Sequence, residues 1–257
     1  MFDYHVHTAH SFDAHTPAAE MLEAAARAGL REICFTDHVD LDGSGFPPAD
    51  LHALAQEVRA LQGGPTAVRF GAEISLADEG CARRSRAYLT GLSPDFLIGS
   101  VHLMDGVDPY EEKQLFDRPK EEVYRHSLEC ISRAIRTDFP FSVLGHYDYI
   151  AKCAVYDDRS FPLSAAPELF DDIFIFLAEN GKGLEINTAS WKDAPAWGLD
   201  ILKRYRACGG TFVTVGSDSH TPDRVGSRIS EALDLARAAG IPYVATFEQL
   251  KPILHPL

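Results

Sequence analysis

Seven short β-rich runs recur along the chain, at 2–6, 32–36, 67–74, 96–101, 141–144, 183–186 and 211–215, and a helical stretch follows each. A weaker eighth run lies near 243–246. The helical stretches cover 17–28, 50–62, 83–91, 120–137, 165–180, 200–208 and 230–239. Most stop at glycine (Gly29, Gly63-Gly64, Gly181, Gly209-Gly210, Gly240), and the first reads as capped by Thr16 with Pro17 in the first helical position. Strands that alternate with helices make parallel β-α-β units. Seven such units fit a closed barrel better than an open sheet. With no internal repeat, low-complexity segment or linker, the expectation is one α/β domain over 1–257, a distorted (β/α)7 TIM-like barrel.

The polar residues at the strand ends carry the functional information. The first run ends in His5-Val6-His7, the second runs into Asp37-His38, and the third carries Glu73. The fourth ends at His102, the fifth at His146, the sixth at Asn187, and the seventh leads into Asp218-Ser219-His220. Six of the eleven histidines thus fall at the C-terminal ends of strands. In a parallel barrel those ends share one face, where active sites of such folds form. Side chains two apart in a strand point the same way, so His5 with His7, and Asp218 with His220, each aim two groups at one place. Imidazole and carboxylate are the usual ligands of Zn, Mn and Fe, and a carboxylate such as Glu73 can bridge two ions. A lone histidine at a strand end is more often structural, and H-x-H alone says little. Eight such groups on one rim are different: crowded acids and imidazoles would cost stability without cations between them.

Charge and cysteine usage narrow the partners. The formal net charge is −14, which disfavours a long nucleic-acid partner. No run of about 18 apolar residues marks a membrane span, and the start MFDYHVHT lacks the features of a signal peptide. The five scattered cysteines (Cys34, Cys81, Cys130, Cys153, Cys208) form no C-x-x-C pair and read as reduced thiols of a cytoplasmic protein. His52, His126 and His255 read as structural or solvated. Trp191 and Trp197 flank Lys192 and fit either a pocket wall or core packing.

His5-Val6-His7-Thr8, Ser11 and Asp13, Thr36-Asp37-His38, Gly71-Ala72-Glu73, Ser100-Val101-His102, Leu144-Gly145-His146 and Gly216-Ser217-Asp218-Ser219-His220 resemble, in order, the motifs of the PHP (polymerase and histidinol phosphatase) superfamily. Within it the chain is most similar to histidinol-phosphate phosphatases, through Leu144–Lys152, Leu184-Glu185-Ile186-Asn187-Thr188 and the closing segment Thr246–Leu257. The resemblance implies a PHP-type barrel holding two or three divalent metal ions (Zn, Mn or Fe). One ion would be held by His5, His7, Glu73 and Asp218, and a second by Glu73, His102 and His146. A third would take His38, His220 and a residue of the loop after the first strand, read as Asp13. Some relatives carry histidine there, and His10 and His15 lie near in sequence. Lys152, Lys192 and Arg224 are the candidate phosphate-binding cations; lysine acts as a point charge where arginine gives a fork.

The activity so implied is that of a phosphoric monoester hydrolase acting on L-histidinol phosphate, a step of histidine biosynthesis, with inorganic phosphate as product. Glu73, Asp218 and His220 are expected at the reacting centre. Two metals would bridge a hydroxide that attacks phosphorus in line. His10, His15 and Asp105 are candidate proton donors to the leaving alcohol. The partner is then a small phosphorylated metabolite, with no nucleic acid and no membrane; the oligomeric state stays open. Alternatives are a phosphodiesterase or exonuclease of the same superfamily, an amidohydrolase-type metallohydrolase (which usually has a lysine where Glu73 stands) and a degenerate scaffold domain.

Overall fold

The computed structural model describes residues 1–191 and 195–257. All seven expected strands form. β1 (Phe2–Val6), β2 (Glu32–Phe35), β4 (Ala67–Ser75), β5 (Phe96–Ser100), β6 (Val143–Leu144), β7 (Gly183–Asn187) and β8 (Phe212–Gly216) pair in parallel in that order. A two-residue strand, β3 (His38–Val39), continues beyond β2 along the upper half of β4, in a register that sets His38 directly beside Glu73. At the other edge, Asp218 N donates to His5 O (2.7 Å) and His7 N to Ser219 O (2.9 Å). These bonds bring β1 against the chain leaving β8, so the seven parallel strands form a ring. The buried Asp3 reinforces the seam by accepting from Ser217 N (2.9 Å) and Gly226 N (2.8 Å).

Each strand is followed by a helix that covers it. α1 (Ala18–Arg27), α2 (Leu51–Ala60), α3 (Glu79–Tyr88), α4 (Lys120–Ala134), α5 (Tyr149–Cys153), α6 (Pro167–Glu179), α7 (Leu199–Ala207) and α8 (Ile229–Ala238) present apolar stripes inward. In α6, Phe170, Ile173, Phe174 and Leu177 are buried at the i, i+3, i+4, i+7 spacing of one helix face. β1, β5, β7 and β8 are buried throughout, as strands covered on both faces must be. None of the helices among the described residues is long and apolar enough to cross a membrane.

The local departures from expectation have physical reasons. β9 (Tyr243–Glu248) runs parallel to the lower half of β8, and β10 (Lys251–Pro256) folds back antiparallel on it. Pro252 and Pro256 make β10 read as non-strand, yet proline is tolerated on an edge strand. α3 starts earlier than expected because the Asp78 carboxylate caps it, accepting from Cys81 N at 2.7 Å. Thr16 does not cap α1: Pro17 takes that position without a side-chain bond, and the Thr16 carbonyl accepts from Ala9 N instead.

Candidate active site

The C-terminal strand ends gather His5, His7, His38, Glu73, His102, His146, Asp218 and His220 into one cluster. Glu73 lies at its centre and is fully buried. Its Oε1 is 2.7 Å from His146 Nε2 and 3.3 Å from His102 Nε2, and accepts from Ser100 Oγ at 2.6 Å. Its Oε2 faces His38 Nδ1 (3.0 Å), His5 Nε2 (3.3 Å) and His7 Nε2 (3.6 Å). The two oxygens of one carboxylate thus serve two different sets of imidazoles.

Asp218 Oδ1 lies 3.3 Å from His7 Nε2 and 3.7 Å from His5 Nε2, while its Oδ2 pairs with Lys152 Nζ at 2.9 Å. Its backbone is left-handed, φ 51°, a conformation unusual for aspartate and common at functional sites. Asp13 bridges two further histidines, at 3.0 Å from His220 Nε2 and 3.6 Å from His38 Nε2. His7 stacks between His38 and His220, with ring centroids 4.3 and 4.2 Å away.

The donor atoms fall into four overlapping triplets that fit a divalent cation: His5–His7–Glu73, His5–His146–Asp218, His38–Glu73–His102 and His7–His38–His220. His5 Nε2, His7 Nε2, His38 Nδ1, His146 Nδ1 and Glu73 Oε2 are buried with no hydrogen-bond partner. Buried polar atoms are ordinarily satisfied, so five orphans in one cluster are the mark of ligand atoms, and the residues fit divalent metal ions.

The electrostatics agree. Burial alone would push His5 down, but the carboxylates of Glu185, Glu73 and Asp218 hold it well above its ordinary range. His38 is raised in the same way, mainly by Glu73. His102 is pushed up to about 10 by Asp40 and Glu73 against its own burial. His7, buried and flanked by His38 and His220, is driven down to about 3. Glu73 and Asp218 stay well below the usual carboxylate range, despite burial, because of the imidazoles and, for Asp218, foremost Lys152. Protons thus hold the places that cations can take.

Two partners have roles that the motifs do not assign, although Glu185 lies within one of those motifs. Glu185, buried in β7, accepts from His146 N (2.8 Å) and lies 2.6 Å from His5 Nδ1, which orients the His5 Nε2 toward the cluster. Asp40 lies 3.4 Å from His102 Nδ1 and 3.5 Å from His38 Nδ1. Both had a signal: an acid inside an apolar strand must have a partner, and Asp40 shares the face of His38 two residues away. Gly216 makes room for this arrangement, since a Cβ there would collide with His5 Cβ and come within 2.6 Å of Glu185 Oε1.

A cavity of about 420 Å³ opens over the cluster, lined by His38, Glu73, His102, His146, Asp218, His220, Asp13 and Lys152 together with Phe12, Phe46, Tyr149, Asp42, Asp108 and Glu111. Other sequence candidates lie elsewhere. Arg224 is exposed on the turn Pro222–Arg224, outside the lining among the described residues. Lys192 lies outside the described residues. His10 turns to Glu57 (2.9 Å), His15 is exposed, and Asp105 pairs with Arg133 and His126, so the three expected proton donors do not face the cavity. Trp191 and Trp197 are buried and pack edge to face, with Trp197 Nε1 donating to Asp148.

A parallel barrel whose rim collects imidazoles and carboxylates under an open cavity is the architecture of a metallohydrolase. The PHP domain family model matches residues 3–189, and the chain belongs to that family. It is 31% identical over 257 residues to a histidinol-phosphatase of Lactococcus lactis, covering 97% of this chain and 95% of the relative. It is 30% identical to a probable histidinol-phosphatase of Clostridium acetobutylicum, covering 92% of each. The crystal structure of histidinol phosphate phosphatase from Lactococcus lactis, complexed with zinc, L-histidinol and phosphate, superposes with a TM-score of 0.90 at 30% identity over 98% of both chains.

Proposed function

We propose that this protein is a metal-dependent phosphomonoesterase that hydrolyses L-histidinol phosphate to L-histidinol and inorganic phosphate. The observation that carries the reaction class is Glu73, whose two oxygens serve separate histidine sets beneath an open cavity. The likeness to the Lactococcus lactis enzyme over nearly the whole of both chains supports the substrate. One cation is assigned to His5, His7, Glu73 and Asp218, a second to Glu73, His102 and His146, and a third to His38, His220 and Asp13. When bound, such ions acidify water towards neutral pH and offset charge on the phosphate oxygens.

The chain's own groups do the rest. Glu185 holds the His5 ring through Nδ1, and Asp40 does the same for His102. Lys152, half-buried at the cavity wall, keeps its positive charge because Asp218 raises its affinity for the proton against the effect of burial. It thereby offers one fixed point charge to a phosphate oxygen. Phe12, Phe46 and Tyr149 wall the cavity and limit water. Asp42, Asp108 and Glu111 on the same lining suit the cationic amine of an amino-alcohol ester and repel a polyanionic strand. One contiguous hydrophobic core and five unpaired thiols support reading the chain as a single cytoplasmic domain.

The test is phosphate release from histidinol phosphate, from generic phosphomonoesters and from a phosphodiester, by protein loaded with Mn, Zn or Fe. Turnover of histidinol phosphate well above the generic esters is expected. Cleavage of the diester alone would overturn the reading.

A further inference from the structure

Away from the barrel rim, Asp105, His126 and Cys130 bring three metal-binding atoms together. His126 and Cys130 stand four residues apart on one face of α4, one helical turn from each other. Asp105 reaches them from the turn after β5, where Met104 and Val107 bond to each other across Asp105 and Gly106. His126 Nε2 is 2.9 Å from Asp105 Oδ2 and 4.0 Å from Cys130 Sγ, and Sγ is 3.8 Å from Asp105 Oδ1.

We propose that this cluster is a separate binding site for a divalent cation of the zinc type. A tetrahedral zinc ion bonds sulfur at about 2.3 Å and nitrogen or oxygen at about 2.0–2.1 Å, which sets its ligand atoms about 3.3–3.6 Å apart. The three observed separations lie within about half an ångström of that range, though to different oxygens of Asp105, so a rotation of its carboxylate and small side-chain shifts close the site. Both ring nitrogens of His126 face acceptors: Nε2 donates to Asp105 Oδ2 at 2.9 Å in the metal-free site, and Glu129 Oε2, 3.4 Å from Nδ1, can take over the proton when an ion claims Nε2.

The place already attracts positive charge. Arg133 Nη2 contacts both Asp105 Oδ1 (2.6 Å) and Cys130 Sγ (3.2 Å), and its side chain is exposed enough to leave without disturbing the core. On binding, the Cys130 thiol releases its proton to solvent, the guanidinium withdraws, and a water completes four-coordination. Thiolate and Asp105 carboxylate then balance the two charges of the ion. His126 also lines a second cavity of about 670 Å³, which shares Ser44, Phe46, Leu103, Asp108 and Glu111 with the active-site cavity and gives an entry path. An ion here would pin the segment after His102, including Asp108 and Glu111, to α4.

The inference is independent of the phosphatase reading, and cobalt(II) tests it. Wild-type protein whose active-site cluster is already loaded with zinc, titrated with cobalt(II), should develop a near-ultraviolet thiolate-to-cobalt charge-transfer band that saturates at one further equivalent per chain. Cys130→Ser should abolish the band, His126→Ala should weaken binding at least tenfold, and both should hold one metal equivalent fewer than wild type. Unchanged thermal unfolding of the variants checks that they fold. If Cys130→Ser does not fold, His126→Ala decides. No band in wild type, or the same band and stoichiometry in the folded variants, would overturn the proposal.

Discussion

Replacing Glu185 by glutamine tests how far the metal centre depends on a residue that does not itself face the cavity. The substitution keeps the volume and removes one charge. Three groups converge on this carboxylate: His146 N at 2.8 Å, His5 Nδ1 at 2.6 Å and Asn187 Nδ2 at 3.4 Å. His146 N and Asn187 Nδ2 are donors, and His5 Nδ1 is one whenever Nε2 is free to bind an ion. An amide offers one acceptor atom in place of two, so its NH₂ must abut a donor whichever way it turns. A buried donor left unsatisfied costs about 1–3 kcal/mol. At about 1.4 kcal/mol per factor of ten, metal affinity should fall roughly 5- to 150-fold. Competition against a chromophoric chelator measures this directly, with thermal unfolding as a check on the fold. Wild-type affinity in a folded Glu185→Gln variant would refute the claim that this carboxylate orients His5.

Glu73→Ala should lose bound metal and phosphatase activity together, read by metal analysis and phosphate release; full turnover would remove Glu73 from the centre. Lys152→Met should lower kcat/KM for a phosphomonoester about 10- to 100-fold, since a charge-assisted hydrogen bond contributes about 1.5–3 kcal/mol. Most of that loss should appear in KM. Metal-stripped protein should lose stability as pH rises. His102 has a folded pKa of about 10 against an ordinary 6.5, so its contribution is complete below 6.5 and vanishes on passing about 10. His7 changes charge only below 6.5, so it leaves that window alone. Thermal melts between those pH values should fall for stripped protein and stay level for loaded protein.

The order of strands and helices was legible because each element carries its own signal: a buried apolar run, then an amphipathic stretch closed by glycine. The convergence of His5, His7, Glu73, His102, His146 and Asp218 was legible for a related reason, because parallel strand ends face one way. What escaped depends on contacts between segments remote in sequence. Nothing local tells that Glu185 meets His5, or that Asp40 sits beside His102. Loops were legible least: Asp13 and His10 lie three residues apart, yet one meets His38 and His220 while the other turns to Glu57. Arg224 follows the rim motif closely, but the helical turn it closes carries it into solvent. β10 was masked by its own prolines, which forbid a central strand and permit an edge.

The seam between β1 and the chain beyond β8 joins positions as far apart as Asp3 and Ser217, 214 residues along the chain. A ribosome therefore releases seven of the nine assigned ligands before Asp218 and His220 exist. Until that late strand docks beside the first, His5, His7 and Glu73 lack the Asp218 carboxylate that completes their set. Metal acquisition is thus a closing event in the life of this polypeptide, and a chain interrupted before residue 218 should emerge unable to hold its full complement.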